Sequence, residues 1–127
     1  MSEAPHTVGV MSFIAISGRL DWDPALVFEP DETPFVRCRV KTHHEPAVVY
    51  NVEARGDAAD NAAVSLLWEH PVLVHGRLGR GTVVDDDGTE REDLVLYASA
   101  LGPDLTHASV KVLRPWKEEQ ATLDSED

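Results

Sequence analysis

The sequence predicts an all-β domain, a small closed barrel of five strands with one short helix. The evidence for this prediction lies in the second half of the chain. Pro71–Leu78 has an apolar or small residue at every second position, which is the period of a strand. Before it, Asp57–Trp68 is rich in alanine and spaces its apolar residues by three and four, as an amphipathic helix does. After it, Gly79–Asp93 has the composition of a long hairpin, and Leu94–Ala100 alternates again. The order strand, helix, strand, hairpin, strand is that of the second half of an OB barrel, in which the helix lies between the third and fourth strands.

Alternation also predicts the other strands: Ser12–Leu20 as the first, Phe35–Thr42 as the second, Ala47–Arg55 as the third, and Ala108–Leu113 as a short sixth. Ala25–Phe28 is a short apolar segment, interpreted as a continuation of the first strand after a turn. Gly18 predicts a bend or bulge of the kind that barrels need. Asp87-Gly88 is a turn dipeptide and marks the tip of the hairpin.

Length and composition indicate one globular domain. A chain of 127 residues with 43% hydrophobic content supports a single core. We expect the OB domain to span residues 1–114 and an acidic, disordered tail to span 115–127, with Trp116 either folded back onto the barrel or offered to a partner. No run approaches the roughly 18 apolar residues of a membrane-spanning helix, and no secretory signal is recognisable, so a cytoplasmic protein is expected. The lone Cys38 lies in a strand pattern and is interpreted as a small buried hydrophobe rather than a reactive thiol.

The charge balance opposes a simple nucleic-acid-binding interpretation. With 23 acids against 11 bases, the net charge is −12, the reverse of the usual nucleic-acid footprint. The acids are clustered, however, in the loop 21–32, at the hairpin tip 85–93 and in the tail. Because the Debye length is about 8 Å at physiological salt, a local basic patch outweighs remote acids.

The second strand supplies such a patch. Its even positions are apolar and face the core, and its odd positions form an aromatic and basic stripe on the opposite face: Phe35, Arg37, Arg39 and Lys41. Single-stranded nucleic acid needs cations for its phosphates and flat surfaces on which its bases stack, and this face offers both. The alternative is that the three basic residues only form the solvent-exposed face of a strand whose other face is buried, with no role in binding.

No motif of catalysis or metal binding is present. The sequence lacks a glycine-rich phosphate loop, GxSxG, CxxC and HExxH. His43 and His44 are adjacent and so point apart, and no second cluster of Cys or His has ligand spacing, so no metal site is predicted. Asp85–Asp87 lacks the later glutamate of a calcium loop. We therefore expect a binding protein without cofactors rather than an enzyme.

Several short motifs, in this order and spacing, carry a family resemblance. They are Gly18–Leu20 followed by Asp23-Pro24, then Arg55–Ala63, Val72–Leu78, Asp87–Glu92 and Gly102–Leu105. From about Met11 to Leu113 the chain resembles the bacterial single-stranded-DNA-binding protein (SSB) family. The resemblance implies an OB fold that dimerises through its first strand, a homotetramer wrapped by single-stranded DNA, and roles in replication, recombination and repair.

The chain also departs from the family pattern. Where the family usually has aromatic residues, this chain has Arg55, Val48 and Val49, and Thr82–Val84 on the hairpin arm. The loop between the second and third strands is reduced to about His43–Ala47. The tail is acidic but ends without the hydrophobic tip that docks partner proteins.

These patterns predict a non-catalytic protein that binds single-stranded DNA without sequence specificity. The predicted binding residues are Phe35, Arg37, Arg39, Lys41, Tyr50 and Arg55 on the barrel, and Arg77 and Arg80 at the root of the hairpin arm. The cations would meet phosphates, and Phe35 and Tyr50 would stack on bases, although Tyr50 lies on the predicted core face and has packing as its alternative role. Further expected partners are another copy of the chain, forming a dimer or tetramer, and replication or repair proteins near the nucleoid.

The alternative function is a divergent OB subunit for protein interaction with little or no DNA affinity. The net charge and the missing family aromatics motivate it.

Overall fold

The computed structural model describes residues 12–113. It contains six strands and one helix: β1 Ser12–Leu20, β2 Ala25–Phe28, β3 Pro34–Thr42, β4 Val49–Arg55, α1 Asp57–Ser65, β5 Pro71–Val84 and β6 Glu90–Pro103. The predictions for the first eleven residues and for the acidic tail with Trp116 lie outside the described residues.

Five of these strands close into a ring. The sheet order β1-β5-β6-β4-β3-β2 is completed by a further pairing of β1 with β3. The predicted OB barrel, with one short helix between its third and fourth strands and a long hairpin between its fourth and fifth, is confirmed. Strand β2 lies outside the ring, antiparallel to β3, and continues the direction of β1 along the same edge of β3.

Closure of the ring depends on Gly18. This residue pairs with Val72 of β5 and with Thr42 of β3, so it marks the point where β1 passes from one neighbour to the other. A Cβ atom at Gly18 would overlap the backbone carbonyl group of Lys41. The bend predicted at Gly18 is therefore a close approach of two backbones that only glycine permits.

The alternating residues fill the barrel as their period predicts. The even positions of β3, Val36, Cys38 and Val40, are buried together with alternate residues of β1, β4 and β5. Ala59 and Ala62 of α1 are also buried in this core. Small side chains let the helix backbone approach the barrel closely, which explains the alanine content of this stretch.

Two predicted elements are corrected. The helix ends at Ser65 rather than Trp68, because Leu66 takes an extended conformation and buries its side chain in the core. Ala108–Leu113 alternates in sequence but forms no strand. An alternating segment forms a strand only if its backbone hydrogen-bonds to a free edge of a sheet. Within the described residues, Ala108–Leu113 pairs with no strand.

The hairpin arm is longer than predicted. Strands β5 and β6 pair without interruption from Gly76 to Val84, and a tight turn at 85–89 connects them. Gly88 has φ 88, and the Thr89 N–H donates to the Asp87 side chain at 2.9 Å. The predicted Asp87-Gly88 turn dipeptide is confirmed.

Between Ser12 and Ser17, the edge of β1 that faces away from β5 has no partner strand within the described residues. The Phe13 side chain is exposed beside it, whereas Ile14 and Ile16 pack partly against the core. Within residues 12–113, no helix has the length and apolar character needed to cross a bilayer.

Candidate nucleic-acid interface

An open cleft of about 210 Å³ lies between the outer face of β3 and β4 and the hairpin arm. Its floor includes Arg37 and Arg39 of β3 with Asn51 and Glu53 of β4, which are cross-strand pairs in the register of these two strands. The arm contributes residues 82–86 and Arg91, and the turn after β1 contributes Trp22 and Asp23. The cleft is thus formed by three separate parts of the chain.

The two cleft arginines on β3 are half-exposed and weakly paired. Arg37 Nε lies 3.6 Å from Glu53 Oε2, and Arg39 Nε lies 3.9 Å from Asp21 Oδ2. Arg37 Nε has no hydrogen-bond acceptor within the described part of the chain. Exposed ion pairs contribute about 0–1 kcal/mol to stability. Arg39 and Asp21 are both exposed, so the Arg39 guanidinium group is able to exchange its carboxylate for an incoming phosphate at small cost, whereas Glu53, the partner of Arg37, is largely buried.

Phe35 does not present its ring to solvent, which corrects the prediction that it stacks on bases. Its side chain is only 7% exposed, although it lies on the outer face of β3. The guanidinium groups of Arg37 and Arg55 lie over the ring, 5.2 and 5.1 Å from its centroid. A cation over an aromatic face is held by the ring quadrupole. The Phe35 ring therefore packs beneath the two guanidinium groups and has no exposed face on which a base could stack.

Arg55 is held by two carboxylates. Its Nη1 lies 2.7 Å from Glu29 Oε2, and its Nη2 donates to Glu53 Oε1 at 3.2 Å. The hydrogen bond to Glu29 is the main cause that raises the pKa of Arg55 above its usual value. Glu53 is largely buried and lies between Arg37 and Arg55, so one carboxylate orients both guanidinium groups.

The other predicted residues lie outside the cleft. Lys41 is exposed at the end of β3 and makes no ion pair with any residue between 12 and 113, whereas Tyr50 packs against the core, as its alternative role predicted. Arg77 lies over the Tyr97 ring, 4.8 Å from its centroid, on the face formed by β5 and β6. Arg80 Nη2 is 3.5 Å from Glu92 Oε1 on the arm. The structure therefore brings only Arg37 and Arg39 of the predicted set to the cleft.

Sequence analysis missed the aromatic residue of the cleft, Trp22. Its side chain is 61% exposed and lies beside Trp68, with 5.2 Å between ring centroids. The Trp68 backbone N–H donates to Asp23 Oδ1 at 2.7 Å, which ties the segment after α1 to the turn after β1. The sequence signal for this residue was a tryptophan in a polar loop directly after a strand. An exposed loop offers no core in which such a side chain could be buried, so a binding role is the simpler interpretation.

The cleft is not uniformly basic. Three arginines, Arg37, Arg39 and Arg91, face four carboxylates, Asp23, Glu53, Asp85 and Asp86. Arg91 Nε donates to both carboxylate oxygens of Asp85, at 3.0 and 3.1 Å, and Arg91 also pairs with Asp93. The acids predicted to stay at the hairpin tip therefore reach the cleft.

These features define a small OB-barrel protein with an open cleft between the barrel face and a long hairpin arm. Among solved structures, the chain is similar to the small single-stranded DNA-binding protein from Streptomyces coelicolor, at 25% identity and a TM-score of 0.60. The match covers 77% of this chain and 98% of that protein. No protein-family model matches the chain, and no curated protein matches it. The predicted resemblance to the SSB family is confirmed.

Proposed function

We propose that the chain binds single-stranded DNA without sequence preference, as a non-catalytic protein of DNA replication, recombination or repair. The observation that carries this proposal is the common position of Arg37, Arg39 and Trp22 in one cleft of an OB barrel. The similarity to a small single-stranded DNA-binding protein over nearly its full length supports it.

The three side chains match the chemistry of a single strand. Arg37 and Arg39 are two residues apart on β3, so both point to the same side, about 6.5–7 Å apart along the strand. That separation is close to the spacing of successive phosphates in an extended strand. Trp22 offers an exposed ring on which a base stacks, at a contribution of about 1–3 kcal/mol. None of these contacts reads the edge of a base, so we expect little sequence preference.

The carboxylates of the cleft limit the affinity. A phosphate that approaches Arg37 or Arg39 must displace Glu53 or Asp21, and it meets Asp85 and Asp86 on the arm. We therefore expect binding that is weaker than the fold alone suggests, because like charges that lie within about one Debye length of each other repel.

A fluorescence titration with oligothymidylate at two salt concentrations tests the proposal. We expect binding at low salt and a linear fall of the logarithm of affinity against the logarithm of salt, at about 0.7 per neutralised phosphate. Arg37→Glu/Arg39→Glu should abolish the binding.

The matched control is Arg19→Glu/Lys111→Glu. It changes the net charge from −12 to −16, as the cleft variant does, at two positions outside the cleft. Equal loss of affinity in both variants, or no binding by the unmodified protein at micromolar concentration, would contradict the proposal.

We further propose that two copies associate through β1. The unpaired edge between Ser12 and Ser17 and the exposed Phe13 support this, because a free strand edge pairs readily with another copy. Light scattering should then give a multiple of 14.0 kDa, and Phe13→Glu, which places a charge beside this edge, should shift it toward the monomer. The same proposal places the protein in the cytoplasm with the nucleoid, in agreement with the free thiol of Cys38.

The second candidate function is a protein-interaction subunit with little DNA affinity. It is favoured by the carboxylates that already occupy the cleft arginines. Formation of mixed oligomers with an SSB protein, together with no binding of oligothymidylate at low salt, would identify this function.

A further inference from the structure

Two histidines and one aspartate meet at one end of the barrel, away from the cleft. His43 comes from the turn after β3, and Asp104 and His107 come from the turn after β6. Their ligand atoms, an imidazole nitrogen from each histidine and a carboxylate oxygen, all lie within 4.8 Å of one another. The two imidazole rings are 4.5 Å apart between centroids. Residues more than 60 positions apart in sequence therefore form one compact set of potential ligands.

Asp104 is the unusual member of the set. The residue is only 4% exposed, and within residues 12–113 no lysine, arginine or histidine forms an ion pair with it. Its Oδ1 accepts a hydrogen bond from the Thr106 N–H at 3.0 Å. Burial of a carboxylate is costly unless a cation compensates its charge. The two exposed imidazoles, whose nitrogens lie within 4.8 Å of the carboxylate, are able to hold a cation together with it.

The donor set suits a divalent transition metal. Two imidazole nitrogens and one carboxylate oxygen are typical ligands of Zn²⁺ where water completes the coordination. Bonds of about 2.0–2.2 Å place tetrahedral donor atoms roughly 3.3–3.6 Å apart, so small rotations of the two imidazoles bring the set into coordination. The hydrogen bond from Thr106 would orient the carboxylate, as outer partners commonly do for metal ligands.

The neighbouring histidine does not belong to the set. His44 Nδ1 lies 3.1 Å from the Pro46 carbonyl oxygen, within its own turn. Adjacent residues point apart, as the sequence predicted, but the partner of His43 comes from a distant turn. The prediction of no metal site also rested on the lack of a second Cys or His cluster with ligand spacing, and spacing along the chain does not detect ligands that only folding brings together.

We propose that His43, Asp104 and His107 bind one Zn²⁺ ion per chain, with water as the remaining ligand. The ion neutralises the buried carboxylate and joins the turn after β3 to the segment that follows β6. Binding of the ion stabilises this end of the barrel and is independent of the proposed DNA-binding cleft.

The test is a calorimetric titration of the untagged, EDTA-treated protein with Zn²⁺, repeated with Co²⁺ and followed by visible absorbance. We expect one site per chain and a Co²⁺ spectrum without the thiolate charge-transfer band that Cys38 would produce. Loss of an outer partner of a ligand already weakens metal binding by about 10–100-fold, so His43→Ala and His107→Ala should each weaken it by about 100-fold or more. Asp104→Asn should do the same while it keeps the acceptor for Thr106.

His44→Ala is the matched control and should bind Zn²⁺ like the unmodified protein. Zn²⁺ should also raise the Tm of the unmodified protein and of His44→Ala but not that of His43→Ala. The proposal is overturned if the unmodified protein binds no Zn²⁺ at micromolar concentration, if His43→Ala and His107→Ala bind it normally, or if His44→Ala is impaired equally. Both histidines are exposed, so these two variants decide the question even if Asp104→Asn fails to fold.

Discussion

The indole ring of Trp22 packs at a tilt against that of Trp68, with 42° between the ring planes. Trp22 follows the first strand and Trp68 follows the helix, so the contact joins two separate parts of the chain. Trp22 lines the cleft, whereas Trp68 packs against Trp22 and is not among the residues that line the cleft. This pair supplies an aromatic surface in a chain that lacks aromatic residues at the positions usual in the SSB family.

Substitution of Trp22 should therefore weaken DNA binding without unfolding the protein. For Trp22→Ala we expect the affinity for oligothymidylate to fall roughly 5- to 150-fold, the effect of losing one stacked base. Trp22→Phe, which keeps an aromatic face, should retain most of the affinity. The measurement is a titration with labelled oligonucleotide at low salt, and a loss as large for Trp22→Phe as for Trp22→Ala would argue against stacking.

Removal of cleft acids should strengthen binding. Asp85→Asn/Asp86→Asn removes two negative charges from the arm and releases Arg91 from Asp85. Exposed charge interactions are worth up to about 1 kcal/mol each, so we expect affinity to rise roughly 3- to 10-fold at low salt and the gain to shrink at high salt.

The control for this change is Asp31→Asn/Glu32→Gln, which removes the same charge from an exposed loop that does not line the cleft. If this control raises the affinity equally, the effect belongs to the net charge of −12 rather than to the cleft.

Closure of the barrel makes Gly18 sensitive to the smallest possible side chain. Because a Cβ atom would overlap the Lys41 carbonyl group, Gly18→Ala should lower the free energy of unfolding by about 1–3 kcal/mol or more. Gly102→Ala is the control, since nothing lies within 4 Å of its added Cβ, and its effect should stay within about 0.5 kcal/mol. Urea unfolding measures both, and equal stability of the two variants would contradict this account of the β1–β3 contact.

Cys38 should be unreactive in the folded protein. Burial raises the pKa of its thiol to about 12 from a usual value of 9.0, so the nucleophilic thiolate is scarce at pH 8. A thiol reagent should label the native protein slowly and the urea-unfolded protein at once. Fast labelling under native conditions would show that the core opens near β3.

The raised pKa of Cys38 also makes the stability of the fold depend on pH in a defined direction. A raised pKa in the folded state means that Cys38 stabilises the fold fully below pH 9 and loses this contribution as the pH approaches 12. The stability advantage of the unmodified protein over Cys38→Ala should accordingly decrease over that interval.

The sequence alone predicts the barrel, its helix and the inward-facing residues of β3, because an alternation of period two assigns each side chain to one face of a strand. It also identified the turn at Asp87-Gly88 and the bend at Gly18, since both follow from local backbone requirements. It predicted a strand at Ala108–Leu113 wrongly, because a period says nothing about whether a sheet edge is free to receive the strand.

Which outward-facing residues meet depends on long-range contacts that exist only in the folded chain. The fold buries Phe35 beneath two guanidinium groups, places Glu53 between Arg37 and Arg55, and sets Arg77 over the Tyr97 ring, outside the cleft. It also brings Trp22 to the cleft and His107 beside His43. These contacts join residues far apart in the chain, and their geometry depends on the twist and closure of the whole ring, which no local pattern encodes.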